Sequence, residues 1–67
     1  MSEIDDLKAA IKKLSAKAMQ AKMDLHDLSE ELPQGVERVM EIARRVEQAY
    51  AALDARKADL KAMEAAS

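Results

Sequence analysis

The sequence predicts an all-α protein: an antiparallel two-helix hairpin, dimerising into a four-helix bundle. Three observations predict it. The residues are helix formers, with Ala, Leu, Glu, Lys, Arg and Met dominating a chain of 67 that has one Gly, one Pro and one Tyr. Apolar residues recur in steps of three and four in both halves. The helix breakers stand together near the middle, in Leu32-Pro33-Gln34-Gly35. The expected organisation is a single domain over 1–67: a helix at about 3–31, a turn at about 32–35 and a helix at about 36–64.

The first helix opens at Ser2, an N-cap residue, with Asp5 three positions on as a short version of the capping-box partner. Glu3, Asp5 and Asp6 suit the positive end of the helix dipole. The seam then runs without a slip: Ile4, Ile11, Ala18, Leu25 and Leu32 at heptad position a, and Leu7, Leu14, Ala21 and Leu28 at d.

At the turn, proline disfavours helical geometry in Leu32, and Gly35 is free to take positive φ. Pro33 also suits the first position of the second helix. Either way the connection is short, so the helices are antiparallel neighbours.

The second seam is Val39, Val46, Leu53 and Leu60, flanked by Ile42, Ala43, Ala49, Tyr50 and Met63. Folding at the turn brings Leu60 toward Leu7, Leu53 toward Leu14 and Val39 toward Leu28. Tyr50 falls near Ala18 and Ala21. Either the large ring fills the space opposite two small residues, or the alanines let a second hairpin approach closely. Arg56 and Lys57 interrupt the seam, which predicts wet or frayed packing there.

Two helices do not cover both sides of these seams. Burying a Leu or Ile contributes roughly 1.5–3 kcal/mol, whereas ordering each residue costs about 1–2 kcal/mol in backbone entropy. The natural closure is a homodimer or higher homo-oligomer. Its core would hold Ile4, Leu7, Ile11, Leu14, Ala18, Ala21, Leu25, Leu28, Val39, Val46, Tyr50, Leu53 and Leu60.

Composition excludes several function classes. The chain has no cysteine, so no disulfide or thiolate metal site, which fits a cytoplasmic location. The start, Met1-Ser2-Glu3-Ile4-Asp5-Asp6, is acidic and lacks the apolar run of a signal peptide or membrane span. Ser2, Ser15, Ser29 and Ser67 have no evident histidine and acid constellation, and no glycine-rich phosphate loop occurs. A hairpin offers no deep pocket. The expectation is a non-enzyme without a cofactor.

Charge is segregated. Lys8, Lys12, Lys13, Lys17 and Lys22 stand in a stretch with no acid, whereas Asp24, Asp27, Glu30, Glu31, Glu37 and Glu41 surround the turn against Arg38 alone. These are solvated helix faces, an acidic end that docks a basic partner, or a basic patch that meets RNA. The RNA reading is the weakest: the net charge is −2 and no aromatic platform accompanies the lysines.

Heptad counting places Met19 and His26 at b and Met23 at f, on the face away from the seam. Methionines there are unusual for a solvated face. The stripe packs in an oligomer contact, or docks a varied partner because Met adapts, or binds a metal through His26 with Met19 and Met23, or with Glu30. One histidine makes a weak site, and Met23 stands where the Glu of a Glu-x-x-His pair would be. The partner-binding candidates are Met19, Met23, His26, Asp27 and Glu30.

The stretch Lys17-Ala18-Met19-Gln20-Ala21-Lys22-Met23-Asp24-Leu25-His26-Asp27-Leu28-Ser29-Glu30-Glu31-Leu32-Pro33 resembles the signature of the Rop-like family, small helical-hairpin proteins encoded in nitrogen-fixation gene clusters. A looser match is Ala49-Tyr50-Ala51-Ala52-Leu53, and the resemblance runs roughly from Leu7 to Leu60. The chain departs from the pattern after the turn, where Gly35-Val36 replaces an expected aromatic residue. The resemblance implies a dimerising hairpin that acts as an accessory protein of nitrogen fixation. Its partner would be nitrogenase, a cofactor-assembly protein or an associated electron carrier. The family name describes shape and carries no RNA binding across.

Overall fold

In a computed structural model that describes residues 2–66, all regular structure among the described residues is helical. Met1 and Ser67 lie outside the described residues. Helix α1 spans Glu3–Glu31 and helix α2 spans Val39–Ala66, with a 3₁₀ turn at Val36–Arg38 between them. The two long helices lie side by side in a rod of 51 × 16 × 13 Å. None of the described helices is long and apolar enough to cross a membrane.

Local chemistry sets the boundaries. Ser2 is extended, at φ −92° and ψ 159°, and its hydroxyl accepts the Asp5 amide at 3.1 Å. That satisfies one of the orphan donors of the first turn. At the other end Leu32 leaves the helix at ψ 143°, as a residue before proline must. Its own amide still donates to the Leu28 carbonyl at 3.2 Å. The chain then turns through Gly35 at φ 78° and ψ 14°, left-handed geometry that disfavours a Cβ. The amides of Gln34, Val36 and Arg38 donate to the carbonyls of Glu31, Pro33 and Gly35 at 3.0, 3.3 and 2.9 Å, so the turn tightens by three-residue steps before α2 begins. Pro33 therefore belongs to the turn, ahead of Gly35, and does not open α2.

The core between the helices is thin. Ala18, Ala21, Leu28, Ile42 and Leu53 are buried. Ile4, Leu7, Ile11, Leu14, Leu25, Val39, Val46, Tyr50 and Leu60 are half-buried. Two features differ from the heptad reading. Ile42, placed beside the second seam, lies inside it and is only 1% exposed. Leu32, assigned to position a, is 41% exposed, because the backbone has already turned out of helical geometry there. At Arg56 and Lys57 both side chains are exposed, yet α2 continues unbroken. Arg56 pairs with Asp59 at 2.9 Å along the helix surface.

Candidate functional site

The outer stripe of α1 is where helical spacing put it. Met19 and Met23 sit one turn apart and are 53% and 52% exposed. A further turn toward the hairpin end, His26 Nε2 lies 3.3 Å from Glu30 Oε1, with both side chains exposed. The Ser29 hydroxyl donates to the His26 carbonyl at 2.7 Å. Asp27 is exposed alongside. The stripe thus presents two soft apolar side chains, then an imidazole–carboxylate pair. Among the described residues no group of three His, Cys, Asp or Glu side chains comes together as a metal cage. His26 and Glu30 offer one nitrogen and one carboxylate oxygen.

A second surface lies at the turn. Val36 and Met40 are 59% and 73% exposed, and Leu32, just before the turn, is exposed as well. Val36 opens the 3₁₀ turn and Met40 is in the first turn of α2, four positions on. Neither residue belongs to the seams predicted from the sequence. The signal was present: both residues stand off the Val39–Val46 seam, yet are large and apolar.

A third feature is a shallow groove of about 370 Å³ between the helices. Leu14, Ala21, Ala49 and Ala52 form its apolar lining, and Lys17, Gln20, Asp24, Arg45 and Gln48 its polar rim. The groove exists because small residues face each other across the hairpin where large ones would have filled it. Of the expected dimer core, Leu14 opens into the groove, whereas Ala18, Leu28 and Leu53 are already covered by the hairpin itself.

The profile of a protein family described as Rop-like matches residues 2–65. The chain is 48% identical over 65 residues to a UPF0437 protein of Azorhizobium caulinodans, covering 97% of this chain and 94% of that one. It is 51% identical over 41 residues to a Frankia alni protein named as a UPF0437 protein in the nifX-nifW intergenic region, covering 61% of this chain and 50% of that one. Among solved structures, the NMR structure of a structural-genomics target is 48% identical. It aligns with a TM-score of 0.85 over 96% of this chain and 92% of the other.

Proposed function

The chain belongs to the Rop-like family, and from that premise we propose that it is a non-enzymatic accessory protein of nitrogen fixation that acts by binding another protein. The Frankia relative is named for a place between nif genes, which supports the process. The observation that carries the mode of action is the exposure of Met19 and Met23 on a helix face that the hairpin core does not need. Exposed methionines form an adaptable apolar contact surface. The partner class is nitrogenase, one of its cofactor-assembly proteins or an associated electron carrier.

The same reading includes assembly of the hairpin into a dimer. An unfolded chain of 7.4 kDa exposes about 10,700 Å², and the single hairpin still exposes 5271 Å². Folding alone thus removes about half of the surface, less than the ~60% of a domain this small. The alanine-lined groove supplies the face on which a second copy would close a four-helix bundle.

The test is co-purification with nitrogenase components from cells grown on dinitrogen. The tagged wild-type chain should carry a nitrogenase or cofactor-assembly protein with it, and Met19→Lys with Met23→Lys should not. A wild-type chain that carries none of these proteins, or a double variant that carries them equally well, would overturn the reading.

A further inference from the structure

The turn end combines two features that the hairpin itself does not explain. The first is apolar: Leu32, Val36 and Met40 are all exposed, and Met40 more than any other large apolar side chain described. The second is electrostatic. Within residues 27–41 stand Asp27, Glu30, Glu31, Glu37 and Glu41 against Arg38 alone. Among the described residues, Glu31, Glu37 and Glu41 make no side-chain hydrogen bond or ion pair. Glu30 and Glu31 also close α1, whose last turn holds no basic residue. Carboxylates at the negative end of a helix dipole oppose the dipole, so this placement works against the helix's own stability.

We propose that the turn end is a second docking surface, distinct from the Met19–Met23 stripe, and that it takes a basic amphipathic segment of a protein partner. The Val36–Met40 pair would accept the segment's apolar side chains, and Glu31, Glu37 and Glu41 its lysines or arginines. The charge chooses among occupants. A nucleic acid or an anionic lipid surface is repelled by these carboxylates. A second copy docking by the same end would set like charges against like. A cationic segment satisfies the unpaired carboxylates and the negative end of α1 together. The proposal does not depend on the nitrogen-fixation reading.

The experiment is an amide chemical-shift titration of the full chain with a short helical peptide bearing Leu on one face and Lys on the other. Two control peptides accompany it: one with Gly in place of Leu, one with Glu in place of Lys. Shifts should gather at residues 31–41, the Glu peptide should not bind, and the Gly peptide should bind about tenfold more weakly. Val36→Ser with Met40→Ser should weaken binding about tenfold with helicity kept, and Met40→Ser alone serves if the pair unfolds. Glu31→Gln, Glu37→Gln and Glu41→Gln together should weaken it similarly and flatten its salt dependence. Met19→Lys with Met23→Lys should leave it unchanged, which separates this surface from the stripe. Shifts that map to the groove or the stripe, equal binding of the Leu and Gly peptides, or insensitivity to the Gln variants would overturn the proposal. So would a change in oligomeric state on Val36→Ser with Met40→Ser, which would make the patch a contact between copies.

Discussion

Arg45 reaches across the hairpin to Asp24, with its Nη2 3.3 Å from the carboxylate Oδ2. The other carboxylate oxygen accepts from Gln20 Nε2 at 2.9 Å, so the acid is held from its own helix and from the facing one. Heptads counted from Ile4 and from Val39 put both Asp24 and Arg45 at position g. Antiparallel packing brings g toward g, and the pair therefore reports the register of the two seams. Beneath it lies the alanine-lined groove, whose rim the two residues share.

Breaking this pair should alter stability little. The Arg45 side chain is 50% exposed and that of Asp24 30%, so solvent screens much of the attraction. Asp24→Ala should lower the unfolding free energy by less than about 1 kcal/mol in urea melts. Exchanging the two residues should recover part of the loss. A loss several times larger would mean that the pair is buried by assembly in solution.

Gly35 is the position where the turn tolerates least change. Its φ of 78° is left-handed, and a Cβ there would stand 3.0 Å from Leu28 Cδ1, a buried core atom. Gly35→Ala should cost about 1–2 kcal/mol through the backbone alone, with the Leu28 contact adding to it. Thermal melts followed by circular dichroism measure this. A variant as stable as wild type would mean that the turn is rebuilt without positive φ.

The core itself is tested at Ile42. Among the described residues it is the one large side chain that is fully buried. Ile42→Ala should cost about 2–5 kcal/mol, a large part of what so thin a core supplies. Leu60→Ala, at a half-buried site near the open end, should cost clearly less. Equal losses at the two positions would indicate that a partner copy buries Leu60 as deeply as the hairpin buries Ile42.

Much of this fold was legible because period and punctuation agreed. The Ile4–Leu28 seam never slips, and the helix breakers gathered in Leu32-Pro33-Gln34-Gly35 mark the turn. Ile42 was misplaced although its spacing from Val39 and Val46 is three and four, the same rhythm as the first seam. A seam taken strictly at sevens from Val39 leaves it out. Leu32 failed for the opposite reason: its spacing is right, but the proline after it removes the helix from under it. The outer methionines were legible as misfits on a polar face. Val36 and Met40 carry the same signal, large apolar residues off the Val39–Val46 seam, but a seam counted from Val39 takes in neither.

Assembly is expected to use the groove. Leu14 lines it and is half-buried, so Leu14→Glu places an unpaired charge on the face where a second copy would sit. Sedimentation of the wild type at micromolar concentration should show no predominant monomer, and Leu14→Glu should dissociate the assembly and lower helicity. A well-folded wild-type monomer at that concentration would remove the bundle from the account. The groove would then be an open feature of a two-helix protein.

The outer stripe gives the sharpest division between surface and core. Met19 and Met23 are about half exposed, and neither takes part in the a/d seam of α1. Lysine forms helix about as well as methionine, so Met19→Lys with Met23→Lys should leave helicity nearly intact. The added charges should still abolish partner capture, or collapse a tetramer to a dimer if the stripe joins two bundles. His26→Ala divides what remains. His26 is held to Glu30 by an exposed pair that contributes little to folding, so the fold should persist in the alanine variant. If the wild type takes up a metal ion and the variant does not, the imidazole is its ligand. If partner capture weakens and no metal is involved, the imidazole contributes a contact. Should the double lysine variant unfold instead, the methionines are packed in the native assembly, the stripe is an interior face, and its reading as a docking surface fails.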